Sequence, residues 1–174
     1  LQRKNSKVCS KIKVVGIDPG LAGTGVGLIH SNGLRRISGY AFGSIKTSSN
    51  DALCLRLEHI YSETLKFLNE QSPDIVVLED IFSLGKYPGS GITLGKVTGV
   101  LLLAACQSGA TTTEISVREA KKIISGTGSA DKHQVEKSVR SFLDHPEPIR
   151  PFHASDALAL AIAGFFRYSK NFMK

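Results

Sequence analysis

The sequence predicts an α/β domain built on a single mixed sheet. Three observations carry this expectation. Short runs rich in β-branched residues follow one another closely near the start. The later run "DIVVLED" is continuously apolar before its two closing acids, as in a central strand covered on both faces. Helical patterns then alternate with strands, giving the order β-β-β-α-β-α-β-α. At 174 residues and 41% hydrophobic content, the chain is sized for one core rather than two.

Taken in order, Lys13 to Asp18 is the first strand, Gly25 to His30 the second and Leu34 to Lys46 the third, with "SNG" (Ser31 to Gly33) as a hairpin turn. The glycines between Asp18 and Gly25 read as a turn. From Asp51 to Glu70, Leu53, Leu57, Ile60, Leu65 and Leu68 recur at helical spacing, and Pro73 follows the end. Asp74 to Asp80 is the fourth strand and Ser83 to Gly91 a loop. Ile92 to Gln107 is a helix too apolar to face water on all sides, so it packs on the sheet, on a second subunit, or on both. After a strand from Ala110 to Ile115, "SVRE" forms a capping box: Ser116 accepts from the Glu119 amide and Glu119 reaches back. That helix stops before "SGTGSA"; Ser129 caps the next, which runs to Leu143. "HPEPIRP" is a stiff connection, and His153 to Tyr168 closes the domain as a helix.

Composition narrows the function less than the net charge of +7 suggests. Arg3, Lys4, Lys7, Lys11 and Lys13 crowd the first thirteen positions without an acid, leaving 17 of the 22 basic residues against 15 acids. Residues 1–12 are therefore expected to be a basic tail and 13–174 a single domain. Cys9, Cys54 and Cys106 are widely spaced and lack CxxC pairing, which supports neither a disulfide framework nor a zinc site; two of them are expected in the core. No apolar run approaches the roughly 18 residues of a membrane span, so a soluble, cytoplasmic protein without a membrane partner is expected.

Four side chains stand out by position. Asp18 ends the first strand and Glu79 closes the fourth, so adjacent central strands would bring them together. "HASD" places His153 and Asp156 one turn apart on the last helix. Each feature alone has an ordinary structural reading, as a turn, cap or helix-start residue. Their combination with this element order points to one site.

Together, "GIDPGLAGTGVG", "VLEDIF", "GTGSADKHQV" and "HASDALALAIA" resemble the RuvC-type Holliday-junction resolvases from about Lys13 to the last helix. The resemblance implies an RNase H-like, retroviral-integrase-superfamily fold: a five-stranded mixed sheet with helices on both faces. It also implies a homodimer that cuts two strands of a four-way junction, leaving 5'-phosphates and 3'-hydroxyls, in recombination and repair, with a RuvAB-like branch-migration complex as a possible partner. By the same resemblance Asp18, Glu79, His153 and Asp156 are the catalytic metal ligands, and Phe82, Lys121 and Lys132 contact DNA. The cofactor implied is Mg²⁺, two ions per site, with Mn²⁺ able to substitute. Many family members carry Asp where this chain has His153, and "GKYPGSG" after Phe82 departs from the family's loop.

The residue types suit that chemistry. Phosphodiester hydrolysis needs a neutralised phosphate, a nucleophilic hydroxide near neutral pH and a stabilised leaving oxygen, which paired divalent ions supply. Such ions take hard oxygen ligands, and few carboxylates suffice because substrate and water complete the shell. Three other readings compete. "DPGLAGTG" is similar to the phosphate-gripping hairpin of the actin and sugar-kinase superfamily, which requires a second lobe that 174 residues cannot hold. A YqgF-like RNA nuclease shares an early "DxG". A non-catalytic junction-binding domain would not need four intact polar positions.

Overall fold

The computed structural model describes residues 11–33, 36–80 and 88–172. β1 (Lys11–Asp18), β2 (Gly23–Asn32) and β3 (Ile37–Lys46) form an antiparallel meander. β4 (Ile75–Asp80) joins β1 in parallel, and β5 (Thr111–Ser116) joins β4 likewise, so the sheet order is β3-β2-β1-β4-β5. The helices are α1 (Leu53–Gln71), α2 (Pro88–Gln107), α3 (Val117–Ser125), α4 (Lys132–Leu143) and α5 (Phe152–Phe172).

Period-two alternation on the central strands explains their continuous apolarity. Val14, Ile29, Val77 and Ile115 face one core with residues of α3, α4 and α5, while Val15, Ile17, Leu28, Val76 and Leu78 face a second with residues of α1 and α2. Both faces of the sheet are thus covered by helices, as expected.

Several boundaries differ from the sequence expectation. α2 begins at Pro88 rather than Ile92, so the end of the expected loop is helical; proline suits the first helical position, where its missing N–H has no partner to lose. This lengthening creates one 18-residue window, Ser90–Gln107, long and apolar enough by composition to cross a membrane. Its Val97, Leu101 and Ala105 are buried in the α1–α2 core. Asp131, not Ser129, caps α4: its carboxylate accepts from the amides of His133 at 2.8 Å and Gln134 at 2.9 Å, and Gln134 accepts in return from the Asp131 amide. Ser129 instead bonds Thr127 within the turn. Ser116 caps α3 by accepting from the Glu119 amide, the first half of the expected capping box, while the Glu119 carboxylate lies 4.0 Å from Arg167. The core expectation for the cysteines fails for the two described, since Cys54 on α1 and Cys106 on α2 are both exposed.

Candidate active site

β1 and β4 run in parallel with Ile17 opposite Leu78, so Asp18 and Glu79 are the next pair at the same sheet edge. Asp18 is 7% exposed, an unusual position for a carboxylate. α5 crosses β1 and β2 and brings His153 and Asp156 to that edge on its first turn.

Glycine makes that approach possible. A Cβ on Gly25 would fall 2.0 Å from the His153 carbonyl oxygen, so the helix backbone rests directly on β2. The imidazole in turn packs over the Gly20–Gly23 turn, whose hypothetical Cβ atoms lie 3.9 and 3.8 Å from its Cε1 and Cδ2. Gly25, expected at the start of the second strand, lies within β2 and positions His153.

The four groups interact strongly. His153 Nδ1 lies 2.6 Å from Asp18 Oδ2, and this hydrogen bond, against the opposing effect of burial and with the charges of Asp18, Asp156 and Glu79, raises the imidazole above its ordinary value. With Nδ1–H donating to Asp18, the neutral ring keeps its lone pair on Nε2. Burial, followed by the hydrogen bond with Asp18 and the charges of Asp18 and Asp156, pushes Glu79 up to about 8. Burial and the Asp18 charge push Asp156 up to about 6 against the pull of His153, Lys121 and Lys132. Among the described residues, no three acids, histidines or cysteines converge tightly enough to hold an ion as the side chains stand. Asp18 instead pairs with His153 and Glu79.

A cavity of about 230 Å³ opens beside them, lined by Glu79, Asp156, Lys121 and Lys132 over an apolar floor that includes Ala120 and Val135. α3 delivers Lys121, and the capped start of α4 delivers Lys132. Six of the residues expected at the site thus come together. The seventh, Phe82, lies outside the described residues. Phe152, which the sequence reading passed over, sits under Lys132 with the ammonium 4.8 Å from its ring centroid; its signal was an aromatic immediately before His153.

The chain matches the family model "Crossover junction endodeoxyribonuclease RuvC" over residues 14–164. It is 36% identical over 151 residues to the crossover junction endodeoxyribonuclease RuvC of Caldicellulosiruptor saccharolyticus, covering 87% of this chain and 90% of that one. With the Thermotoga maritima RuvC it shares 38% identity over 150 residues, 86% and 88% of the two chains. The structure of Thermus thermophilus RuvC in complex with a Holliday junction substrate superposes with a TM-score of 0.81 at 29% identity, over 92% of this chain and 96% of that one. Sequence and overall structure agree, and the chain belongs to the RuvC family of crossover junction endodeoxyribonucleases.

Proposed function

We propose that the chain resolves four-way DNA junctions by metal-dependent hydrolysis of one phosphodiester in each of two strands, leaving 5'-phosphates and 3'-hydroxyls. The observation that carries this reading is the cluster of Asp18, Glu79 and Asp156 with His153, flanked in one cleft by Lys121 and Lys132. Glu79 and Asp156, whose proton affinities rise through burial and the neighbouring carboxylate charges, stand with the buried Asp18 in a site short of positive charge. Hard oxygen donors with one imidazole fit divalent cations such as Mg²⁺ or Mn²⁺. When bound, a pair of such ions supplies water activation and charge neutralisation at the scissile phosphate.

The protein's own contribution is positional. Asp18, Glu79, Asp156 and His153 would hold the ions, with Asp18 central because it touches both His153 and Glu79. Lys121 and Lys132 would hold backbone phosphates of the strand to be cut, fixing its register without reading sequence. Phe82 is assigned a base-stacking role at the crossover on its place in "VLEDIF".

A second copy is part of the proposal, since paired cuts on a two-fold junction call for two related sites. Its expected seat is α2, where Ile92, Gly95, Gly99, Leu103 and Cys106 recur along one exposed side, and only 28% of the apolar Ser90–Gln107 window is buried in the monomer.

Incubation with a four-way junction, a plain duplex and an RNA hairpin, each with Mg²⁺ and with chelator, tests the activity. Paired nicks in the junction alone, dependent on the cation, are expected, with light scattering showing a dimer. Preferential RNA cleavage would favour the RNA-nuclease reading, and binding without cutting in either Mg²⁺ or Mn²⁺ would favour a non-catalytic junction binder.

The acids also make stability depend on pH. Glu79 and Asp156 bind their protons more tightly folded than unfolded, at about 8 and about 6 against ordinary values of 4.5 and 3.8. His153 is raised as well. Their stabilising contribution is therefore complete below about pH 4 and is lost as pH rises through 6 and then 8. In chelator, going from pH 5.5 to 8.5 is expected to remove on the order of 2 kcal/mol, a fall in melting temperature of roughly 4–8 °C. Millimolar Mg²⁺ or Mn²⁺ at pH 8.5 should restore it, because a cation replaces the protons. A chelated protein equally stable at both pH values would remove the electrostatic basis of the site.

A further inference from the structure

The start of α5 carries a second cationic cluster that the acids do not explain. The Arg150 guanidinium lies 4.2 Å from the Phe152 ring centroid, the Lys132 ammonium 4.8 Å from the same centroid, and the His133 ring meets Phe152 edge-on at 5.1 Å. Three basic side chains from two segments thus share one aromatic ring, one residue before His153. Among the described residues neither Lys132 nor Arg150 has a carboxylate ion-pair partner. Asp131, the acid next to Lys132 in sequence, caps α4.

The cluster is held in place. Ile149 is fully buried, and its amide donates to the buried Glu136 at 2.9 Å. Glu136 is itself paired with Arg140 at 2.8 Å, and Arg140 also reaches the Pro146 carbonyl at 3.4 Å. Arg150 Nη1 donates to the Ile149 carbonyl at 2.8 Å, which orients the guanidinium and leaves its other N–H groups toward solvent. Like charges gathered on one ring repel, and the arrangement is relieved by an anion among them. A ring face stabilises each cation without neutralising it, so the full charge stays available.

Resting on the nuclease reading above, we propose that Arg150, seated on Phe152 beside Lys132 and His133, grips a backbone phosphate of the bound strand next to the one held in the catalytic cleft. Lys132 belongs to both, since it also lines the cleft with Glu79 and Asp156, so Arg150 extends the phosphate track outward from the acids. A planar guanidinium with free donors suits a phosphate better than an ammonium does.

Arg150→Gln tests this, because it keeps the stem over Phe152 and removes the charge. Junction binding and cleavage are measured against salt, with Arg150→Lys as the charge-conserving variant and Lys66→Ala, exposed on α1, as a control on the other side of the sheet. Arg150→Gln is expected to lower the slope of log Kd against log salt by about one and to raise the junction concentration for half-maximal cleavage by roughly three- to tenfold. Arg150→Lys should recover the slope, and Lys66→Ala should match the parent in both measurements. Parent-like slope and half-saturation in Arg150→Gln, with the parent protein cutting normally, would overturn the proposal and leave the nuclease reading standing. A parent protein that neither binds nor cuts the junction would overturn both. An early thermal melt in Arg150→Gln with an unchanged slope would assign Arg150 to the loop's structure alone.

Discussion

Asp18→Asn is expected to fold, bind a four-way junction within a few-fold of the parent and lose cutting by on the order of 10²- to 10³-fold or more. The substitution conserves shape and removes one charge at the position touching both His153 and Glu79. Binding should survive because phosphate contacts from Lys121, Lys132 and the other basic side chains supply most of it. The same change relieves repulsion that raises Glu79 and Asp156. In chelator the variant should therefore melt at or above the parent's temperature, a gain in stability at the expense of activity. Band shift, cleavage and melting on one preparation check all three. Retained cutting would take Asp18 out of the mechanism, and an early melt would show that its charge is structural.

Gly16→Ala should damage the protein more broadly. A Cβ there would lie 2.0 Å from the Ala157 carbonyl oxygen and 2.5 Å from the Ala161 amide nitrogen. Both are backbone atoms of α5 and cannot rotate aside, so the helix must lift from β1. Overpacking of this kind costs about 1–3 kcal/mol, more where backbone meets backbone. α5 carries His153 and Asp156, and a displacement of about 1 Å at a catalytic group can reduce the rate on the order of a hundredfold. Gly43→Ala is the control, because its Cβ would meet only Val26 at an ordinary 3.9 Å. Thermal unfolding and single-turnover cleavage of both variants decide the matter. A Gly16→Ala protein that melts and cuts like the parent would mean that α5 is not held at this distance.

These two substitutions separate what could be read from local pattern and what could not. The strand and helix order was legible because period-two and period-3.6 hydrophobicity are local properties, and because "DIVVLED" is apolar on both faces. The juxtaposition of Asp18 and Glu79 was legible too, since both close strands that neighbour each other in the sheet. Motif resemblance then joined His153 and Asp156 to them, along with Lys121 and Lys132, and five of these side chains meet Asp18 or line the cleft beside it.

What stayed hidden depends on the distance between segments far apart in the chain. Gly25 was legible as the start of the second strand, but nothing near it in sequence announces the His153 carbonyl above it. Ser129 and Asp131 are both acceptable caps, and only the geometry of the α3–α4 turn gave the two amides to Asp131. Arg150, Phe152 and Lys132 are unremarkable as individual residues; packing α4 against the start of α5 placed two cations on one ring. Hydrophobic periodicity selects which face of an element is buried, but close backbone approach and the sharing of partners arise only when elements dock, and they decide how the acids and cations of this chain face one another.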